Sequence, residues 1–464
     1  MPLTTTVAEA DRAAAPRRRP GSAAALGAAL LGFTVITLDA LVVNVALPSI
    51  RDSLGGDITG LQWVIDGYTL MFAALLLSAG SLTDRLGARR IFGVGLALFV
   101  VASAACGLAP NLGTLIVARL VQGAGAAVIV PSSLTLIREA FPDPPRRAKA
   151  ISIWALGGSI GSAAGPVAGG FLSQVDWRLI FFVNLPIGLI ALFLLTRVNR
   201  SPRTEQVPFD WTGQLSAVVA MGALTFAAIE AGGEGFTALP VVVASVLTVL
   251  AAVVFLLSQA RGRHPMVGLT LLRERTMMIS AAIGFALNIG FYGMIFLLSI
   301  YLQQAKGMSA LTTGLAFVPT TLLTGFVGPT AAWFAGRFGP RMPVIAGQVA
   351  MVAGLILLAF MPASAPTWLM IIAMIPVGTG GSLAVPALTS MLLNHVSARQ
   401  SGTASGVLNT SRQVGGALAV AIFGALIAGP GRLTRGLETS MLIAAGAVLL
   451  TTAASFLLRP AAHS

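Results

Sequence analysis

The feature that most constrains this chain is its succession of apolar windows, each long enough to cross a bilayer. They fall near 22–47, 62–83, 91–109, 112–137, 149–172, 179–197, 211–231, 238–259, 276–304, 312–335, 343–361, 367–392, 401–428 and 437–458. A membrane-crossing helix needs about 20 consecutive apolar residues, and the connections between these windows are too short to hold a soluble domain. The pattern predicts an all-α membrane protein with fourteen transmembrane helices, arranged six, two, six. Charged residues make up only 10% of the chain and the mean hydropathy is +0.88, whereas soluble chains carry about 25% charge.

Two echoes indicate an internal duplication. The turn from Gly80 to Arg90, Gly-Ser-Leu-Thr-Asp-Arg-Leu-Gly-Ala-Arg-Arg, is partly repeated at Gly336 to Arg341, an offset of about 252 residues. Gly123, Gly125 and Pro131 are matched by Gly378, Gly380 and Pro386 at nearly the same offset. The repeats differ in chemistry, because Asp84 and Arg119 correspond to Gly336 and Met374. The expected plan is a cytoplasmic basic N-terminus at 1–21, a six-helix bundle at 22–198, linkers with two inserted spans at 199–275, a second six-helix bundle at 276–458 and a cytoplasmic tail at 459–464.

Orientation follows from the basic residues. Roughly 22 of the 29 lysines and arginines lie in the termini and alternate loops and about 5 in the opposite loops, which places both termini in the cytoplasm. The net charge of +13 is spread over these short loops, not gathered on one face, so nucleic acid is not expected as a partner. Arg17, Arg18 and Arg19 precede an apolar run longer than a signal-peptide core, which reads as a retained first helix. The single cysteine, Cys106, reads as a small buried hydrophobe, and the three histidines do not cluster, so no metal site is expected.

Charges inside spanning windows cost a few kcal/mol each and are therefore candidates for function. Counted from the outer helix ends, Asp39 lies roughly 12 Å deep, Asp66 roughly 6 Å and Arg119 roughly 10 Å, so the three can share one pocket. A carboxylate in such a cavity can exchange protons as water access changes, or form a static ion pair with Arg119. No Asp or Glu occurs between Thr276 and Leu437, so carboxylate-based proton coupling must reside in the first repeat. Arg412 lies about 16 Å from its inner helix end. With Asn288 and Tyr292, four residues apart on one helix face, it forms a candidate substrate pocket. Gly157, Gly161 and Gly165, with Pro166, form a small-residue stripe suited to close helix packing. In the Gly80 turn, Asp84 among Arg85, Arg89 and Arg90 can lock one conformation, with Gly80 and Gly87 permitting close approach. A membrane-embedded transferase or hydrolase would need a nucleophile or metal-binding acids in its loops, and these loops show neither.

These residues resemble the fourteen-helix drug:proton antiporter branch of the major facilitator superfamily, which includes actinobacterial antibiotic-resistance exporters of the methylenomycin-resistance type. The resemblance rests on Leu38-Asp39 through Asn44 and Pro48, the Gly80–Arg90 turn, Arg119 with Gln122, Gly123 and Gly125, and the Gly157–Gly170 stretch. It implies two six-helix bundles around a central cavity, two inserted helices and alternating access. It also implies proton-coupled efflux of hydrophobic drugs, with Asp39, Asp66 and Arg119 at the coupling site. The proton gradient would be the energy source, with no cofactor. The lipid bilayer, a hydrophobic small molecule and protons would be the partners, and a monomer in the cytoplasmic membrane is expected. An endogenous metabolite is the alternative cargo. The sequence departs from the family pattern at Gly336 and in lacking acids at depth in the second repeat.

Overall fold

Lipid offers the backbone no hydrogen-bonding partner, so each apolar window closes its bonds internally as a helix. The computed structural model describes residues 21–199, 201, 210–262, 265–396, 401–429 and 431–458. The Arg17–Arg19 stretch, most of the 199–209 linker, Arg399 and the tail at 459–464 fall outside the described residues. The helices are α1 (Ser22–Leu54), α2 (Ile58–Leu86), α3 (Ala88–Gly107), α4 (Leu112–Ala140), α5 (Pro144–Val175), α6 (Leu179–Phe182), α7 (Asn184–Thr196) and α8 (Trp211–Glu234). There follow α9 (Leu239–Arg261), α10 (Leu269–Arg273), α11 (Arg275–Gln304), α12 (Ala310–Phe338), α13 (Arg341–Ala359), α14 (Thr367–His395), α15 (Ser401–Ile427) and α16 (Leu433–Ser455).

Among the described residues, twelve helical segments are long and apolar enough to cross a membrane, where the sequence pattern gives fourteen. The two others are α2 and α12, each 29 residues long. α2 carries Gln62, Asp66, Asp84 and Arg85, and the apolar stretch counted in α12 is the shorter Ala310–Thr324. The sixth window is broken at Val183 into α6 and α7, and the 261–275 connection contains α10 where a plain linker was expected.

Helix starts follow local chemistry. Asp57, Asn111, Asp143, Asp210 and Ser309 each accept a bond from the backbone N–H three residues on, relieving the unpaired first turn. The duplicated turn owes its glycine to the backbone: Gly87 and Gly339 have φ of 88° and 86°, where a side chain would strain the chain.

α1–α7 pack mainly among themselves, as do α11–α16. The second echo has a packing cause in both sets. A Cβ at Gly123 would strike the Tyr68 backbone of α2, and one at Gly125 the Gly95–Phe99 backbone of α3. Gly378 likewise abuts Thr320 of α12, and Gly380 abuts Gly347 and Met351 of α13. The sets meet along α2–α15, α5–α12 and α1–α11. α8 lies against both α2 and α15 and thus straddles the seam, with Gln214 Nε2 donating to the Ala74 carbonyl (2.9 Å).

Candidate functional site

Asp39 of α1 is fully buried and accepts three hydrogen bonds. Arg119 Nη1 of α4 lies 2.5 Å from its Oδ2, while Gln122 Nε2 (2.9 Å) and Asn184 Nδ2 (2.8 Å) donate to Oδ1. Arg119 and Gln122 are one turn apart on α4 and bond each other at 2.9 Å. Arg119 Nε donates to the Val64 carbonyl of α2 (2.9 Å), and its guanidinium lies 4.3 Å from the centre of the Tyr68 ring. Asn184 is the first residue of α7, just after the break at Val183, and also donates to Ser103 Oγ of α3 (3.0 Å). Asp39 therefore ties α1, α3, α4 and α7 into one buried polar cluster, with Arg119 extending it to α2.

Asp66 is brought near this cluster in sequence but turned away from it in space. Val64 and Tyr68, one turn apart on α2, flank Arg119, whereas residue 66 lies about 200° round the helix from each. It shares its face instead with Gln62, whose Nε2 donates to the Val420 and Ala421 carbonyls of α15 (2.9 and 2.6 Å). Asp66 is fully buried, and neither carboxyl oxygen has a hydrogen-bond partner among the described residues. The single pocket expected for Asp39, Asp66 and Arg119 is thus two environments: an ion-paired cluster inside the first helix set and a bare carboxyl facing the seam.

Asn288, Tyr292 and Arg412 do come together between α11 and α15. Arg412 Nε lies 3.4 Å from Asn288 Oδ1 and Nη1 lies 3.2 Å from Asn409 Oδ1. A Cβ at Gly284 would come within 2.8 Å of the Arg412 Cγ, and one at Gly416 within 3.3 Å of the Tyr292 ring.

The glycine stripe faces α1. A Cβ at Gly157 would meet the Leu30 carbonyl at 2.8 Å, one at Gly161 would strike Thr37 and the Thr34 carbonyl, and one at Gly165 would meet Leu41 at 2.9 Å. Pro166 lies on the other contact of α5, where Gly314 of α12 abuts its carbonyl. In the duplicated turn, Arg89 donates to the Leu195 and Thr196 carbonyls at the end of α7 (3.2 and 3.3 Å), and Arg341 donates to the Phe456 carbonyl just past α16 (2.5 Å). The recurrent arginine is a helix C-terminal cap in both repeats. Arg90 is exposed and Arg85 half-buried, while the side chain of Asp84 falls outside the described residues. Gly80 departs from expectation: among the described residues a Cβ there would meet nothing within 4 Å, so no close approach to them requires it in this conformation. Among the described residues no group of three His, Cys, Asp or Glu side chains is placed to hold a metal ion.

The Major Facilitator Superfamily model matches residues 29–420. The chain belongs to the Major Facilitator Superfamily. It is 37% identical over 400 residues to the multidrug resistance protein Stp of Mycobacterium tuberculosis, covering 86% of this chain and 74% of that one. It is 34% identical over 442 residues to the methylenomycin A resistance protein of Streptomyces coelicolor, covering 95% and 93%. Among solved structures, a D-xylose-proton symporter superposes with a TM-score of 0.68 at 14% identity over 94% of this chain and 98% of that one. A bacterial homologue of the human lysosomal transporter Spinster gives 0.66 at 19% identity over 95% and 97%. These structural likenesses establish the fold. As a superfamily member the chain is a multi-pass membrane transporter, not an enzyme. Sequence reasoning singled out Asp39 and Arg119 but not Asn184 and Ser103, which complete the cluster. The available signal was an asparagine two residues before Pro186 inside an apolar window.

Proposed function

We propose that this superfamily transporter exports hydrophobic drugs or antibiotics across the cytoplasmic membrane in exchange for protons. The relatives named for multidrug resistance and methylenomycin A resistance support the export reading. In this reading α2 and α12 complete fourteen spans, the bundles occupy 22–198 and 276–458, α8 and α9 are the inserted pair, and the monomer works alone. The α2–α3 turn and both termini face the cytoplasm, in line with the arginine bias.

The coupling reading is carried by one observation: among the described residues Asp66 is buried without a hydrogen-bond partner, on the α2 face that carries Gln62 and its bonds to α15. An ionised carboxylate left unpaired in such surroundings costs several kcal/mol. Closing the seam therefore takes a neutral Asp66, so a proton picked up while the seam is open to the outside travels with closure. Its loss on the inner side, as drug binds, completes the exchange. Asp39 responds to the same step through Arg119, which holds the Val64 carbonyl one turn from Tyr68 on the helix that carries Asp66.

The test is drug-triggered proton flux in proteoliposomes under an imposed pH gradient, for wild type, Asp39→Asn and Asp66→Asn. Wild type is expected to move protons when drug is added, and both variants to fall to background while remaining folded. Drug movement without protons in wild type would replace antiport by facilitated diffusion. Undiminished coupling in Asp66→Asn would remove that residue from the mechanism.

A further inference from the structure

Arg412 differs from every feature above in being a cation at depth without an anion. It sits eleven residues into α15, about 16 Å from that helix's first residue, and is half-buried. No carboxylate forms an ion pair with it among the described residues, and the sequence offers no Asp or Glu from Thr276 to Leu437. Asp66 accepts no bond from it. Two neutral amide oxygens, of Asn288 and Asn409, engage Nε and Nη1. A guanidinium has five N–H donors in a rigid fork, so three remain without a bond to a described residue. Arg119 shows the contrast: within the same fold it is paired, doubly hydrogen-bonded and covered by Tyr68.

The site stands just beyond the hydrogen-bonded joint between the helix sets. The hydrogen bonds between the two helix sets, among the described residues, are Gln62 to Val420 and Ala421, Ser299 to Asn44, Gln303 to Val45 and Thr410 to Ala73. All but the last lie toward the α1–α2 loop, and Thr410 is nearly level with Arg412. Arg412 therefore stands at the depth where these bonds end, about 200° round α15 from Thr410 and against α11 at Gly284, half-buried on the second helix set. Tyr292, stacked over Gly416 beside it, offers an apolar surface next to the charge.

We propose that Arg412, steadied by Asn288 and Asn409, binds the carboxylate of the transported molecule, so that amphiphilic organic acids are among its substrates. This rests on the export reading and narrows its cargo. A carboxylate matches the guanidinium fork in a bidentate, charge-assisted pair, and supplies the counter-charge that Arg412 lacks among the described residues.

Binding of fluorescein, an organic anion, and of ethidium, an organic cation, is measured by fluorescence anisotropy on the purified full-length protein, alongside efflux of each from proteoliposomes. Arg412→Gln is expected to weaken fluorescein binding about tenfold or more with ethidium unchanged, and Arg412→Lys to retain more of it. Asn409→Asp, which places an internal carboxylate beside an intact Arg412, is expected to exclude fluorescein and raise the melting temperature. Equal fluorescein affinity in wild type and Arg412→Gln overturns the assignment, as does a parallel fall for both dyes. Ethidium efflux by wild type with no fluorescein binding also overturns it while leaving export standing. Fluorescein binding lost in Arg412→Gln, with neither dye moved by wild type, supports the anion site and counts against export.

Discussion

Two guanidiniums in the apolar interior meet opposite fates, and their partners decide which. Arg119 is compensated by Asp39, so removing the arginine alone strands a buried carboxylate. Arg119→Met is expected to destabilise the protein by about 3–5 kcal/mol, while the double variant Asp39→Leu with Arg119→Met recovers most of that loss. Thermal melting in detergent decides it: a double variant melting no higher than the single one would show that the stranded Asp39 carboxylate is not the source of the loss. The charged members of this site were legible in the sequence because an ionised group inside a spanning window is expensive and hence conspicuous. Asn184 and Ser103 were not, since neutral polar side chains are far cheaper there and no spacing links residues on separate helices; Gln122 showed only as part of the motif that follows Arg119. The direction in which Asp66 points was equally hidden. Depth from the helix end placed it with Asp39, but depth says nothing of azimuth, and only the neighbours of Val64, Tyr68 and Gln62 show which side of α2 faces which helix.

Helices in lipid gain little from burying apolar surface against each other, so close backbone approach and a few hydrogen bonds do the packing. The α5 stripe follows this rule, and the sequence showed it plainly because glycine every fourth residue has few other causes. What the stripe packs against, α1 and with it the helix of Asp39, is a tertiary fact. Gly161→Ala pushes a methyl into the Thr34 carbonyl and Thr37 and is expected to lower the melting temperature and the transport rate together. Gly80→Ala meets open space and is expected to leave stability unchanged or raise it by roughly 0.5–1 kcal/mol through helix propensity. Equal effects of the two substitutions would show that the stripe is not a packing surface. The windows likewise exposed nearly every helix, because apolar length is a local property. They missed the break at Val183 and the short α10, whose causes are local turns inside or beside an apolar run.

At the scale of the whole molecule, the two helix sets are held together at the α1–α2 end. There Gln62 reaches two carbonyls of α15, and Ser299 and Gln303 of α11 bond the backbone of α1 at Asn44 and Val45. A transporter that alternates must break this seam once per cycle, and each of these bonds runs from a side chain to a carbonyl, which water can replace when the seam opens. The seam is tight enough to be locked covalently. A Cβ at Gly424 would stand 2.8 Å from Gln62 Cγ, which puts residues 62 and 424 within the reach of a disulfide, whose Cβ atoms lie about 3.5–4.5 Å apart. Cys106 is the single natural cysteine and is buried, so Cys106→Ser gives a clean background. Gln62→Cys with Gly424→Cys is expected to cross-link under mild oxidation, to stop efflux from proteoliposomes when oxidised and to regain it on reduction. Each single-cysteine variant should be indifferent to oxidant. A fully cross-linked double variant that still exports drug at the reduced rate would mean that the α2–α15 seam stays shut throughout the cycle, and the path would then have to open between other helices.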